Sequence, residues 1–343
     1  MDQSSAVLTV LITSWLEPEL VERIRAVDSR VNVVYRPDLL RPPRYPADHH
    51  GEPVERTPEQ EAQWRGLLAR ADVLFDFDPT HRDDLPELAR RVRWIQATSA
   101  GIGQFVKRQR YAERMPHTVF TTASGVHAKP LAEFAAMAML MHSRRLLHMV
   151  DAQGRREWKR FAGTDLDGRT LLVVGLGSIG REVARLARAM GMEVLGVRRS
   201  PGGEEGVYGP EALTKLLPRA DFVVLVMPHT DETDGMMGGD ELAAMKQGAV
   251  LINIGRGSLV DEGALVDALR SGHLGGAYLD VFATEPLPDD SPLWDMPNVL
   301  VSPHSGSTSD RENRRITELF CENLRRYLEG RPLKNVLDPA RLY

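Results

Sequence analysis

Three residues capable of polar chemistry fall just after apolar runs in the second half of the chain. Arg256 lies in Asn253-Ile-Gly-Arg-Gly257, Glu285 in Asp280-Val-Phe-Ala-Thr-Glu-Pro-Leu-Pro288, and His304 in Ser302-Pro-His-Ser-Gly306. A guanidinium is always charged and offers a planar fork to carboxylate and carbonyl oxygens. An imidazole ordinarily titrates near about 6.5, which suits proton transfer at neutral pH. Upstream stands Leu171-Leu-Val-Val-Gly-Leu-Gly-Ser-Ile-Gly180. Residues 171–174 read as a buried strand, and Gly175, Gly177 and Gly180 fit the spacing G-x-G-x-x-G. A helical pattern follows through Ile179, Val183, Leu186, Ala187 and Met190, closed by Gly191. Strand, glycine turn and helix in that order bind a dinucleotide. Gly175 permits the tight turn, Gly177 admits the pyrophosphate, and Gly180 lets helix and strand pack closely. The first N–H groups of the helix have no internal partner and point at the phosphate.

These residues need a scaffold, and the chain supplies alternating strands and helices. Strands are predicted at 7–12, 31–35, 73–77, 94–97 and 118–121, with helices at 19–26 and 59–70. A proline-rich excursion, 36–58, interrupts them with Pro37, Pro42, Pro43, Pro46 and Pro53. It cannot be helix or central strand. One long helix is expected from about 127 to 149, then a polar stretch over 151–168. Further strands are predicted at 171–174, 194–197, 222–226, 250–254, 277–279 and 299–301. Such alternation predicts doubly wound parallel sheets. The last helix, about 310–329, is expected to start with a capping box of Ser309 and Glu312. In an open α/β sheet ligands bind outside the carboxyl ends of the strands. Arg256, Glu285 and His304 each follow such an end, so they can converge despite their separation in sequence.

Composition narrows the class. At 343 residues the chain suits two domains. It is 42% hydrophobic and 27% charged, with a formal net charge of -5 and no basic run that suggests nucleic-acid binding. No apolar run approaches the roughly 18 residues of a membrane span. Met1-Asp2 opens without a basic signal region, and 6–12 reads as a strand. The one cysteine, Cys321, excludes an internal disulfide and a multi-cysteine metal site, and it fits a reducing, cytoplasmic location. His49-His50 lacks a third ligand at suitable spacing, so no metal is expected.

The chain resembles the D-2-hydroxyacid dehydrogenase family, which includes glyoxylate/hydroxypyruvate reductases, phosphoglycerate dehydrogenase and formate dehydrogenase. Besides the segments above, the resemblance rests on Ser99-Ala-Gly-Ile-Gly103, Gly125-Val-His-Ala-Lys-Pro-Leu-Ala-Glu133 and Met227-Pro-His-Thr-Asp-Glu-Thr233. It implies a split, flavodoxin-like substrate domain, 1–123 with 308–343, and a nested Rossmann cofactor domain, 124–307. It implies reduction of a small 2-keto acid, or oxidation of a D-2-hydroxy acid. Arg256 would anchor the carboxylate and polarise the carbonyl. His304 would donate the proton. Glu285, accepting the other ring N–H, would fix the tautomer and favour the imidazolium. Substrate contacts are implied at Ser99, Ala100, Gly101 and Ile102, through backbone N–H groups. Cofactor contacts are implied at Gly175, Gly177, Ser178, Ile179, Gly180, Pro228, Thr233, Ile254, Gly255, Arg256, Asp280, His304 and Gly306, with Asp280 on the nicotinamide carboxamide. Glu133 matches a family glutamate whose role, structural or catalytic, stays open. Pairing through the cofactor domains implies a homodimer. Ala135, Ala136, Met137, Met139, Leu140 and Met141 offer more apolar surface than one flank of a monomer needs.

Cofactor choice is read from the strand at 194–197. An NAD site carries an acid about 20 residues past the glycine turn. Here the strand runs into Arg198-Arg199-Ser200, and Glu193 falls before the strand, away from the ligand. Two guanidiniums and a hydroxyl suit a 2′-phosphate, so NADPH is expected, with NAD as the alternative if one arginine stacks on adenine. A formate dehydrogenase would pair its histidine with Gln, and phosphite dehydrogenase would carry a lysine in the loop 97–103; neither is present. A dinucleotide-sensing corepressor keeps the same three residues and is the alternative from another class. No G-x-S-x-G supports nucleophilic hydrolysis. The identity of the 2-keto acid, the physiological direction and the task of 36–58 are not encoded in any motif.

Overall fold

The computed structural model describes residues 7–342, which divide into two compact units. Within that range one comprises residues 7–127 with 308–342, and the other residues 128–307.

The first unit is built on strands β1 (Leu8–Ile12), β2 (Val31–Val34), β3 (Val73–Phe75), β4 (Trp94–Gln96) and β5 (Val119–Thr121). They pair in the order β2-β1-β3-β4-β5, all parallel. This is the flavodoxin-like order. Successive side chains alternate between two cores: Leu11, Leu74 and Ile95 face one, and Val10, Phe75 and Trp94 the other. Burial on both faces explains why the strands read as continuous apolar runs. The last helix, Glu312–Leu328, returns to this unit, where Phe320 stacks on Trp94 at 4.9 Å between centroids.

The proline-rich excursion contains a 3₁₀ turn at Pro37–Leu39 and is otherwise irregular up to the helix Pro58–Arg70. It is nonetheless built. Leu39 and Leu40 enter the core. The Asp48 carboxylate accepts from the N–H groups of Arg44, His50 and Gly51, and pairs with the Arg44 guanidinium. Thr57 and Gln60 cap the helix that follows, with Pro58 at its first position.

The second unit contains β6 (Thr170–Val174), β7 (Glu193–Val197), β8 (Val207–Tyr208), β9 (Phe222–Leu225), β10 (Val250–Asn253), β11 (Gly276–Leu279) and β12 (Val299–Val301). Their order is β12-β11-β10-β9-β6-β7-β8, all parallel. Counted from β6, this is the Rossmann arrangement with a seventh strand added at one edge. Leu172 and Val174 face one core, Leu171 and Val173 the other.

Four sequence expectations need correction. The predicted long helix is two, Ala128–Ser143 and Leu146–Gly154. Arg145 between them adopts a left-handed conformation, φ 56°. The first helix buries Leu131, Ala132, Ala135, Ala138 and Met139, whereas the second buries nothing within the chain. The apolar period runs through both, so it does not reveal the turn. Ala135 and Met139 are therefore core residues, and only Met137 and Leu140 of the apolar set are exposed. The capping box at the last helix does not form. Glu312 is its first residue and turns its carboxylate into the protein, while Ser309 Oγ accepts from Arg315. Glu193 is the first residue of β7 and not the residue before it. The short strand β8 carries no sequence signal, having only two residues.

Candidate active site

The second unit gathers its chemistry on loops at the carboxyl ends of its strands. After β6 the chain turns through Gly175, whose φ of 110° favours glycine. A Cβ there would strike Met227 and Val226, and one on Gly180 would lie 2.2 Å from the Gly175 carbonyl oxygen. A Cβ on Gly177 would meet nothing within 4 Å. That open approach leads straight to the start of the helix Ser178–Ala189, where unpaired N–H groups favour an anion. This cradle fits a dinucleotide pyrophosphate.

After β7, Arg198 pairs with Glu204 at 3.3 Å and Arg199 with Glu232; Ser200 is exposed. After β9, Thr233 Oγ1 donates to the Pro228 carbonyl at 2.9 Å and accepts from the Thr230 N–H, closing the 228–233 loop.

The loop after β10 is clamped by its own strand. Asn253, buried, donates from Nδ2 to the Arg256 carbonyl and accepts the Gly255 N–H at Oδ1. Ile254 is buried, and Arg256 Nη1 donates to the Gly255 carbonyl at 2.7 Å. A Cβ on Gly257 would lie 1.8 Å from the Phe282 carbonyl carbon, so the loops after β10 and β11 touch backbone to backbone only because glycine is there. Burial draws the Arg256 guanidinium below its ordinary pKa, and the Glu285 carboxylate opposes this. A guanidinium stays protonated even so.

Glu285 is held at both oxygens. Oε1 accepts the Phe282 N–H at 3.0 Å, and Oε2 lies 2.8 Å from His304 Nδ1. Burial alone would raise its pKa. The hydrogen bonds from His304 and Phe282, with the charges of His304 and Arg256, outweigh burial and hold it below the usual carboxylate range. A carboxylate at Nδ1 requires a proton on that nitrogen, so the neutral ring would carry its lone pair at Nε2. Among the described residues no hydrogen bond engages Nε2.

The backbone of His304 sits in the left-handed region, φ 54°. A residue other than glycine holds that conformation only where its surroundings impose it. Asp280 imposes it. Its carboxylate accepts from Ser302 Oγ at 2.5 Å, Ser305 N–H at 2.9 Å and Gly306 N–H at 2.8 Å, the residues on either side of His304. Burial pushes the Asp280 carboxyl up, and these bonds with the His304 charge oppose it. Sequence reading missed Asn253, Ser302 and Ser305 as positioning residues. The signal was present as buried-type polar residues at strand ends, but their partners are not.

The first unit carries the loop Ser99–Ile102. The Gly101 N–H reaches Ser99 Oγ at 3.4 Å, and Ala123 N–H donates to the Ser99 carbonyl. Ile102 is buried, so only its backbone is available to a ligand. Thr98, just before the loop, is tied to Asp76 through both its N–H and its hydroxyl.

The same unit contains a second histidine–glutamate pair that sequence reading passed over. His127 Nε2 lies 3.2 Å from Glu312 Oε1, and His49 Nε2 lies 3.8 Å from the same oxygen. Among the described residues neither His49 nitrogen has a hydrogen-bond partner. Burial pulls its pKa down, although the charges of Asp76 and Glu312 oppose this. No group of three or more His, Cys, Asp or Glu among the described residues is arranged to hold a metal ion. No helix among them is long and apolar enough to cross a membrane.

Residues 136–306 match the model of the D-isomer specific 2-hydroxyacid dehydrogenase NAD-binding domain. A glyoxylate reductase of Korarchaeum cryptofilum is 39% identical over 229 residues, 64% of this chain and 68% of that one. A D-isomer specific 2-hydroxyacid dehydrogenase family protein of Aeromonas salmonicida superposes with a TM-score of 0.81 at 30% identity, covering 97% of this chain and all of the other. A D-isomer specific 2-hydroxyacid dehydrogenase of Xanthobacter autotrophicus, solved with NADPH and MES, superposes with a TM-score of 0.78 at 30% identity over 98% of this chain and 100% of that one.

Proposed function

Because the chain belongs to the D-isomer specific 2-hydroxyacid dehydrogenase family of NAD(P)-dependent oxidoreductases, we propose that it reduces a small 2-keto acid, of the glyoxylate or hydroxypyruvate kind, with NADPH. The observation that carries this reading is the 2.8 Å contact between Glu285 and His304 Nδ1, with the Arg256 charge acting on the same carboxylate. That contact leaves Nε2 for the substrate.

The dinucleotide would be held by the N–H groups at Gly177, Ser178 and Ile179, with Arg198, Arg199 and Ser200 at the adenosine end. Pro228, Thr233, Ile254, Gly255, Asp280 and Gly306 would line the remainder. The bound nicotinamide supplies a hydride. Arg256 anchors the substrate carboxylate and polarises the carbonyl, a role that needs its planar fork. Protonated His304 donates from Nε2 to the carbonyl oxygen as the alcohol forms, and Glu285 stabilises the imidazolium until then. The loop Ser99–Ile102 of the first unit would offer backbone N–H groups to a substrate carboxylate. The resting enzyme must recover a proton at His304 before the next turnover. Its half-exposed ring supports exchange with solvent.

The relative named a glyoxylate reductase supports the substrate class, and the NADPH-bound relative supports the cofactor. Turnover of glyoxylate, hydroxypyruvate, pyruvate, phenylpyruvate and branched 2-keto acids with NADPH and NADH tests the reading. Equal KM values for the two cofactors would remove the NADPH assignment. Tight NADPH binding with no turnover of any of these acids would favour a dinucleotide sensor instead.

The subunit is proposed to pair with a second copy through the second unit. Met137, Leu140, Met149 and Val150 are exposed, and Trp158 is 97% exposed, apolar side chains that a second copy would cover. A monomer mass by light scattering at micromolar concentration would sink this. A cytoplasmic location accords with the single, buried, unpaired Cys321.

A further inference from the structure

Three side chains meet where the adenosine end of a dinucleotide would lie. Arg198 follows β7 directly, the strand whose end carries the ribose-reading residue in dinucleotide folds. Arg181 is the fourth residue of the helix that starts at the phosphate cradle. Glu204 comes from the short loop between β7 and β8. Arg181 grips it with a two-pronged contact, Nη2 to Oε1 at 2.9 Å and Nη1 to Oε2 at 3.2 Å. Arg198 Nη1 adds a third at 3.3 Å to Oε1. Two guanidinium groups around one anionic head is the arrangement a phosphate would occupy. The bonds from Arg181 hold the Glu204 carboxyl below the usual carboxylate range, so it is an anion at neutral pH.

The mounting of Glu204 is as telling as its contacts. Gly202, Gly203 and Gly206 flank it, with φ of 68°, 77° and 73°. A Cβ on Gly202 or Gly203 would meet nothing within 4 Å, so packing does not wedge that side of the loop. The ends are fixed. Gly196 N–H donates to the Gly206 carbonyl at 2.8 Å, and Arg198 N–H to the Tyr208 carbonyl at 3.0 Å. A carboxylate is therefore carried on a glycine-rich turn between two anchored points. Those points belong to the same β7–β8 pairing that fixes Arg198.

We propose that Glu204 determines cofactor discrimination in this chain, by occupying Arg181 and Arg198 as an internal stand-in for the 2′-phosphate of NADPH. The proposal rests on the NADPH reading above and adds two residues to it. NADPH must displace Glu204, because two anions cannot share one pair of guanidiniums without repulsion. NADH need not displace it, and the retained carboxylate can accept a ribose hydroxyl, as the acid of an ordinary NAD site does. The arginines thus favour NADPH, and Glu204 narrows the margin and keeps NADH usable. Arg181 becomes a specificity residue alongside Arg198.

Adenosine 2′,5′-bisphosphate and adenosine 5′-monophosphate differ only in the 2′-phosphate, so their calorimetric affinities isolate this contact. Full-length wild type, Glu204→Gln and Arg198→Ala would be titrated with each, and the KM values for NADPH and NADH measured alongside. Glu204→Gln should tighten the bisphosphate on the order of tenfold and leave the monophosphate unchanged or weaker. The gain should shrink in high salt, because the groups are solvent-exposed. The NADPH-to-NADH preference should rise in parallel. An unchanged ratio of the two affinities in Glu204→Gln, or equal changes in both, overturns the proposal. If Arg198→Ala weakens the bisphosphate and Glu204→Gln does nothing, Glu204 alone is wrongly assigned. If wild type binds both nucleotides equally and Arg198→Ala alters neither, the NADPH reading fails and takes this proposal with it.

Discussion

Two histidine–glutamate pairs in this chain share a chemistry and differ in everything around it. His304 and Glu285 lie 2.8 Å apart with side chains 46% and 37% exposed. His127 and Glu312 lie 3.2 Å apart with side chains 9% and 8% exposed. The first is held by a strained loop that its neighbours Ser302, Ser305 and Gly306 anchor to Asp280. The second joins the start of the last helix to a residue 185 positions earlier, with His49 close by. Contact alone does not make a histidine reactive. Access to a ligand and a route for proton exchange do, and only the first pair has a solvent-exposed ring.

The largest expected effect separates the pairs outright. His304→Ala should lower kcat by about 10²–10⁴-fold with little change in cofactor affinity, as loss of a general acid does. His127→Ala should leave kcat of the folded enzyme within about threefold. It should instead cost on the order of 3 kcal/mol of stability, because it leaves Glu312 buried without that partner. Denaturant melts and steady-state kinetics on both variants would expose a reversed pattern, which would abolish the distinction.

A smaller effect tests the open pair through pH. Hydrogen bonds from His304 and Phe282 hold Glu285 below the usual carboxylate range, so it presents an anion to His304 Nδ1 at neutral pH. Glu285→Gln should move the alkaline limb of the kcat/KM profile for reduction to lower pH. A limb that stays in place would show that Glu285 does not act through the ring.

The smallest effect concerns the closed cluster. Burial lowers the proton affinity of His49 in the folded chain, whereas the unfolded chain titrates it near about 6.5. The unfolded state therefore binds more protons as pH falls below that value. Stability from this residue is complete above about pH 6.5 and declines on acidification. Asp48 and Glu285, whose folded pKa values are also depressed, act in the same direction but only nearer pH 4, where unfolded carboxylates titrate. The fall in unfolding free energy between about pH 7 and pH 5 should thus be smaller in His49→Gln than in the wild type. An unchanged slope in His49→Gln would mean that burial does not depress this residue's proton affinity.

Much of this was legible before any coordinates. The apolar run 171–174, the glycines at 175, 177 and 180, and the helix period after them are local patterns. Local patterns survive because strand burial and helix packing repeat every two and every 3.6 residues. Parallel alternation gave both sheets, and the Arg, Glu and His followed strand ends as expected. The proline-rich segment was legible only as an absence of regular structure, and its buried Asp48 hub was not legible at all.

What tertiary structure alone decided was which polar groups meet. Ser309 and Glu312 have capping-box spacing, yet Glu312 faces His127 because the helix starts later and its first turn is buried. The apolar period across 127–149 could not show that only its first part had a sheet to cover. Asp280 reads as a strand-end acid, but its hold on the His304 loop depends on β11 and β12 lying side by side. Arg198 reads as a phosphate ligand, and nothing local reveals that Arg181 and Glu204 fold onto it. Periodicity encodes the direction a side chain takes relative to its own element. The identity of its partner depends on where the chain folds back, six residues on for Glu204 against Arg198 and 185 on for Glu312 against His127, which no local spacing records.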